Sequence, residues 1–152
     1  LRIGARVEAA APGARIEGYE LQPQVDGGVE ALIGFTAEPP LGAMVVVGSG
    51  GTLAELTRDR AADLAPVALP KARQLIRTTT LGEVLAGYRR HATPVDIEPL
   101  ARTLQRVAAL AADLHDVLAA ADLNPVFVGP SGEVRVVDAL FIAAGRPGGG
   151  TQ

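Results

Sequence analysis

Asp122, Asn124 and Asp138 stand on two apolar runs within residues 121–139, ADLNPVFVGPSGEVRVVDA. A carboxylate among such residues is costly unless something pairs with it. If 121–128 and 133–143 are strands joined across Gly129-Pro130-Ser131-Gly132, their side chains alternate with period two. Asp122, Asn124, Val126 and Val128 then share one face, while Val134, Val136, Asp138, Leu140 and Ile142 share a face of the second strand. A register centred on Ser131 sets Asn124 opposite Asp138, and a register centred on Pro130 sets Asp122 there, with partner Cβ atoms about 5 Å apart. Either one gathers two carboxylates and a carboxamide. Such an oxygen-only set suits a hard cation such as Mg²⁺, which completes its shell with water and phosphate oxygens. A nucleoside triphosphate site needs that chemistry. The plainer alternative is that Asp122 and Asn124 cap backbone amides near Pro125 while Asp138 pairs with an arginine.

Composition narrows what else the chain does. At 152 residues with 48% hydrophobic side chains it is sized for one domain with a real core. No run approaches the ~18 apolar residues of a membrane span, and LRIGARVEAA lacks a basic region followed by a long apolar one, so a soluble, cytoplasmic protein without a membrane partner is expected. The first residue is Leu1 rather than Met, which suggests a piece of a longer protein. The absence of cysteine excludes disulfides and thiolate metal sites. His91 and His115 have no zinc-ligand spacing. A net charge of −3, three Phe, two Tyr and no Trp argue against a nucleic-acid partner. Lys71 is the sole lysine, so any lysine chemistry belongs to it or lies outside the chain.

Certain elements must hold these residues in place. Residues 14–36 contain two β-like runs around Asp26-Gly27-Gly28, a hairpin signal. Residues 42–49, GAMVVVGS, read as a strand between Pro39-Pro40 and Gly50-Gly51, and 51–69 is ambiguous between strand and helix. Residues 70–90 start with a helix-compatible Pro and break near Thr78–Thr80, predicting two short helices. Over 94–118, Ile97, Leu100, Leu104, Val107, Ala111, Leu114 and Leu118 form one apolar stripe, capped by Thr93-Pro94 or by Asp96, that predicts a helix packed on a sheet. Strands at both ends with helices between, and no βαβ alternation, predict α+β with a mainly antiparallel sheet and helices packed on a face. Residues 1–144 form the domain and 145–152, rich in glycine, a flexible tail.

The hairpin also carries a resemblance. DLNPV followed by VVDA, with fourteen positions from Asn124 to Asp138, resembles the (D/E)-I-N-P-L … (V/L)-D-A pattern closing the ATP-grasp domain of NDP-forming acyl-CoA synthetases and the succinyl-CoA synthetase β subunit. The resemblance implies that Asn124 and Asp138 ligate Mg²⁺ on the nucleotide phosphates, with Asp122 supporting the metal site. YELQPQVDGGVEALIGFT resembles the family's G-x-x-V-Q-P-M-V-x-x-G-V-E-L-x-V-G-V hinge strand and loop. It implies Gln22 near adenine, Val25 where backbone meets the base, and Glu30 as acceptor of the ribose hydroxyls. PPLGAMVVVGSGGTLAEL resembles D-P-x-F-G-P-V-V-x-x-G-x-G-G-x-x-x-E, implying that Gly48, Gly50 and Gly51 let backbone approach a phosphate or acyl-CoA intermediate. The chain departs from the pattern at Ala37-Glu38 for Arg-Asp, Gln24 for Met and Ser49 for Leu.

The resemblance, from about Gly13 to Ala144, implies the C-terminal subdomain of an ATP-grasp domain. Its cofactors would be ATP/ADP or GTP/GDP with Mg²⁺. Its partners would be the nucleotide, the N-terminal ATP-grasp subdomain, and CoA-binding and ligase domains of the same protein or a partner subunit. It supplies no catalytic residue here, since His91 and His115 lie off the family's phosphohistidine motif. The implied function is the nucleotide and Mg²⁺-binding half of an NDP-forming acyl-CoA synthetase, inactive as an isolated fragment. The departures leave two alternatives: a regulatory synthetase-like domain fused to a GNAT protein lysine acetyltransferase, or a degenerate ATP-grasp scaffold.

Overall fold

The computed structural model describes residues 2–25, 27–51, 59–87 and 93–145. Asp26, His91 and the tail beyond Gly145 lie outside the described residues, as does 52–58 of the ambiguous stretch. In chain order the elements are α1 (Arg2–Ala10), β1 (Val29–Ala37), β2 (Ala43–Ser49), β3 (Arg60–Leu64), α2 (Leu69–Arg77), α3 (Thr80–Leu85), α4 (Glu98–Leu114), β4 (Leu118–Val128), β5 (Val134–Val136) and β6 (Ala139–Ala143). The strands form one antiparallel sheet ordered β3-β2-β1-β4-β5, and β6 also pairs with β4. Among the described residues no helix is long and apolar enough to cross a membrane.

Period-two alternation sorts the sheet into two faces. Ala31, Ile33 and Phe35 of β1, Val45 and Val47 of β2, and Ala121, Leu123, Val126 and Val128 of β4 are buried toward the helices. Against them α4 sets Leu100, Ala101, Leu104, Ala108 and Ala111, with Ile76, Leu81 and Leu85 from α2 and α3. The helices therefore cover one face, as the apolar stripe predicts, although α4 is shorter at each end than 94–118. Asp96 serves its start: Oδ1 accepts from the Glu98 amide at 2.9 Å. The break between α2 and α3 falls where the sequence suggests. Thr79 caps α3 by accepting from the Gly82 amide at 3.2 Å while its own hydroxyl donates to the Ile76 carbonyl at 2.7 Å, so this buried hydroxyl is satisfied in both roles.

Three expectations about the elements change. The hairpin around Asp26-Gly27-Gly28 does not form: residues 14–25 are irregular and lead into β1 without pairing with it. The reason is competition for edges, because β1 is already bonded to β2 on one side and β4 on the other. The ambiguous 51–69 stretch supplies β3, whose edge position explains its weak, half-buried pattern. The N-terminal α1 had no apolar run to announce it, and none of its residues is buried.

Candidate functional site

The hairpin adopts the register centred on Ser131, with Val126 opposite Val136 and Asp122 opposite Leu140. At Asn124-Pro125 the ladder shifts, so the expected shared faces break: Val126 and Val128 are buried toward the helices while Asp122 and Asn124 lie on the other side, and Val134 and Val136 likewise part from Leu140 and Ile142. Ala31 faces Val126 but Ile33 faces Leu123, so both bulged residues stand against Leu32. A bulge redirects the chain locally, and Pro125 has no amide to donate. Across the hairpin the Asn124 amide donates to the Asp138 carbonyl at 3.2 Å and the Val137 amide to the Pro125 carbonyl at 3.1 Å. Asn124 and Asp138 are therefore the facing pair, and Asp122 is one step along the same strand. Asp122 and Asp138 are exposed and Asn124 is half-buried. Among the described residues no group of three His, Cys, Asp or Glu side chains is arranged to hold a metal by itself.

The glycine segment after β2 closes onto this pair. The Gly51 amide donates to Asn124 Oδ1 at 3.2 Å, and the Gly50 amide to the Glu30 carbonyl at 2.8 Å. A Cβ at Gly50 would collide with the Ala31 backbone, and one at Gly51 with the Glu30 carboxylate; Gly51 also has φ +61°, which favours glycine. These glycines thus serve close approach rather than an ordinary turn. They join Glu30, expected at the ribose, to Asn124, expected at the metal.

Gln22, Pro23 and Val25 line a groove of about 770 Å³ whose opposite wall is Arg135, Val136 and Val137 of the hairpin. The structure thus brings the hinge residues beside the strand that leads into Asp138. Glu30, Phe127 and Arg135 lie in one row across β1, β4 and β5, because Glu30 faces Phe127 and Phe127 faces Arg135. His115 lies at the end of α4, where Nδ1 meets the Ala112 carbonyl at 2.9 Å, away from this face.

Sequence reasoning passed over Asp59. Its carboxylate accepts from the Ser49 hydroxyl at 2.8 Å and from the Thr80 and Leu81 amides at 2.7 and 3.1 Å. Burial pushes its pKa up, but the donors Thr80, Ser49 and Leu81 outweigh this and hold it below the ordinary aspartate value. Asp59 thereby ties the end of β2 to the start of α3. Nothing in the local sequence announces the contact with Thr80, twenty-one residues on. Phe127, Arg135 and Arg60 were missed for another reason: their shared face becomes visible only when the order of strands is known.

A model of an ATP-grasp domain family matches residues 1–142. The chain is 39% identical over 136 residues to acetate–CoA ligase [ADP-forming] I of Archaeoglobus fulgidus, covering 90% of this chain and 19% of that protein. It is 37% identical over 135 residues to the β subunit of acetate–CoA ligase [ADP-forming] II of Pyrococcus furiosus, covering 88% of this chain and 57% of that subunit. Among solved structures it resembles a dinucleotide-forming acetyl-coenzyme A synthetase 1 from Ca. Korarchaeum cryptofilum, in complex with coenzyme A and Mg-AMPPCP, with TM-score 0.72 and 35% identity over 79% of this chain and 55% of that one. The chain thus spans about a fifth of the first relative and somewhat over half of the second.

Proposed function

This chain belongs to the ATP-grasp domain family, and on that premise we propose that the sheet face which no described helix covers is half of the nucleotide and Mg²⁺ site of an NDP-forming acyl-CoA synthetase. The reading rests on one observation. The groove lined by Gln22, Pro23 and Val25 on one side and Arg135, Val136 and Val137 on the other stops one residue short of Asp138, whose carbonyl accepts from the Asn124 amide, so a base held in the groove would have its phosphates directed toward that pair. The relatives' names, which include ADP-forming acetate–CoA ligases, and the Mg-AMPPCP held by the similar synthetase support the same chemistry.

The residues fit such a cation. Asn124, Asp138 and Asp122 offer oxygen donors only, which suits an ion that takes its remaining ligands from phosphate and water. Asn124 and Asp138 would hold it, and when bound it neutralises charge on the phosphoryl group under transfer. Glu30 would accept from the ribose hydroxyls, Gln22 and Val25 would receive the base, and Gly50 and Gly51 would let backbone approach the phosphates.

In the whole protein, residues 1–144 would serve as the C-terminal ATP-grasp subdomain, with 145–152 as a tail. The opposing ATP-grasp subdomain and the CoA-binding and ligase parts would come from the same protein or a partner subunit, so the isolated chain should not turn over. Isothermal titration of ADP into the full-length protein, with and without Mg²⁺, tests this. Binding that strengthens with Mg²⁺ and loses that dependence in Asp138→Ala is expected. Equal binding by wild type and variant at all Mg²⁺ concentrations would overturn this reading of the site.

A further inference from the structure

We propose that Arg60 binds the terminal phosphoryl group of the nucleoside triphosphate, reaching it from the end of the row opposite Asn124 and Asp138. This rests on the nucleotide reading above and adds an anion-binding residue to it.

The sheet register defines the row. Arg60 faces Gly48, Gly48 faces Leu32, and Leu32 faces the bulged Asn124-Pro125, whose partner across the hairpin is Asp138. Directly opposed residues in an antiparallel sheet share a face. Arg60 and Asn124 therefore stand on the same side of the sheet, the one that no described helix covers, three strand spacings or about 14 Å apart at the backbone. Between them Leu32 is buried and Gly48 lies against the Asp59 backbone, so the open ground is the neighbouring row, Ala62, Val46, Gly34 and Asp122. Arg60 and Asp122 line one shallow groove of about 210 Å³ there, with Leu32, Gly34 and Val46 in its floor.

Arg60 is also uncommitted. Its side chain is exposed and forms no ion pair or hydrogen bond with any other described residue. The contrast lies on its own strand. Asp63, which points to the helix-covered side, is bound to Lys71 at 2.8 Å, so the structural charge of β3 is neutralised and the charge on the open face is not. Asp122 shares the groove without pairing with Arg60, which keeps both free for a ligand. A phosphate entering beside Asp122 needs positive charge on both flanks. The cation at Asn124 and Asp138 would supply one flank and the guanidinium, whose planar fork matches phosphate oxygens, the other.

The experiment compares Mg-ADP with the non-hydrolysable triphosphate analogue Mg-AMPPCP by titration into the full-length protein. Arg60→Ala should raise the Kd for Mg-AMPPCP about tenfold and leave that for Mg-ADP within about twofold, with Arg60→Lys in between, because a point charge replaces part of a fork. Equal weakening of both nucleotides, or of neither, would overturn the assignment. Asp138→Ala separates the two levels. If it abolishes the Mg²⁺ dependence while Arg60→Ala binds both nucleotides normally, only Arg60 is wrong; if Asp138→Ala also binds like wild type, the nucleotide reading falls and Arg60 falls with it.

Discussion

The two faces of the sheet are made from the same strands and could hardly differ more. Toward the helices β1, β2 and β4 present Ile33, Val45, Val47 and Val126, each fully buried, and no buried polar side-chain atom among the described residues lacks a partner. On the other side the same strands carry Glu30, Asp122 and Asn124, beside Asp138 and Arg60, all exposed or half-buried. Burial of apolar area stabilises the fold by about 25 cal/mol per Å². The other face, which no described helix covers, buries Leu32 and otherwise concentrates charge. A sheet covered on one side only can thus divide the work, with packing on one face and ligand chemistry on the other.

That division can be tested by striking each face in turn. The largest stability effect belongs to the covered side: Leu104→Ala on α4 should cost about 2–5 kcal/mol, read as a lowered midpoint in denaturant, with nucleotide affinity unchanged in whatever fraction stays folded. The opposite pattern is expected for Asp138→Ala, an exposed residue, whose loss should move stability by no more than about 0.5 kcal/mol while removing the Mg²⁺ dependence of nucleotide binding. If Asp138→Ala unfolded the protein, the division of labour would be wrong.

Asp59 lies where the two faces are stitched together. Asp59→Asn keeps the shape but turns one accepting oxygen into a donor, which conflicts with the Ser49, Thr80 or Leu81 donors; a loss of about 1–2 kcal/mol in thermal or denaturant unfolding is expected. Ser49→Ala removes one of the three bonds and should cost less.

The smallest effect is on the helical side and depends on pH. Arg73 binds the Glu98 carboxylate through two nitrogens at 2.7 and 2.9 Å, and Arg102 adds a third contact at 2.9 Å. The Arg73 hydrogen bond is the main reason the Glu98 carboxyl is held below the ordinary glutamate value. Folding thus favours the ionised form, so the contribution is complete above the unfolded-state pKa and disappears as pH falls through the lower folded one. Urea midpoints for wild type and Arg73→Met should therefore converge on acidification; a gap that stays constant down to strongly acidic pH would assign the effect of Arg73 to packing rather than charge.

Much of this was legible in the chain because it depends on near neighbours. The apolar runs at 121–128 and 133–143, with the four-residue turn between them, confine the hairpin to two registers and so make Asn124 and Asp138 a candidate pair, although the bulge at Asn124-Pro125 breaks the expected alternation. Thr78-Thr79-Thr80 marks the α2–α3 break because threonine caps compete with helix continuation, and 42–49 has the β-branched run and flanking turns of a strand. The choice between the two registers, and the failure of the Asp26-Gly27-Gly28 hairpin, were decided in tertiary structure, since β1 had two edges and both were already taken. Asp59 and Arg60 belong to that second class. Their partners across space, Ser49 and the α3 amides for one and the Gly48–Leu32–Asn124 row for the other, exist only once β3 lies beside β2 and β4 beside β1. Periodicity says which residues share a face of a strand, but strand order and register say which strands share a site, and those follow from long-range packing that no local pattern contains.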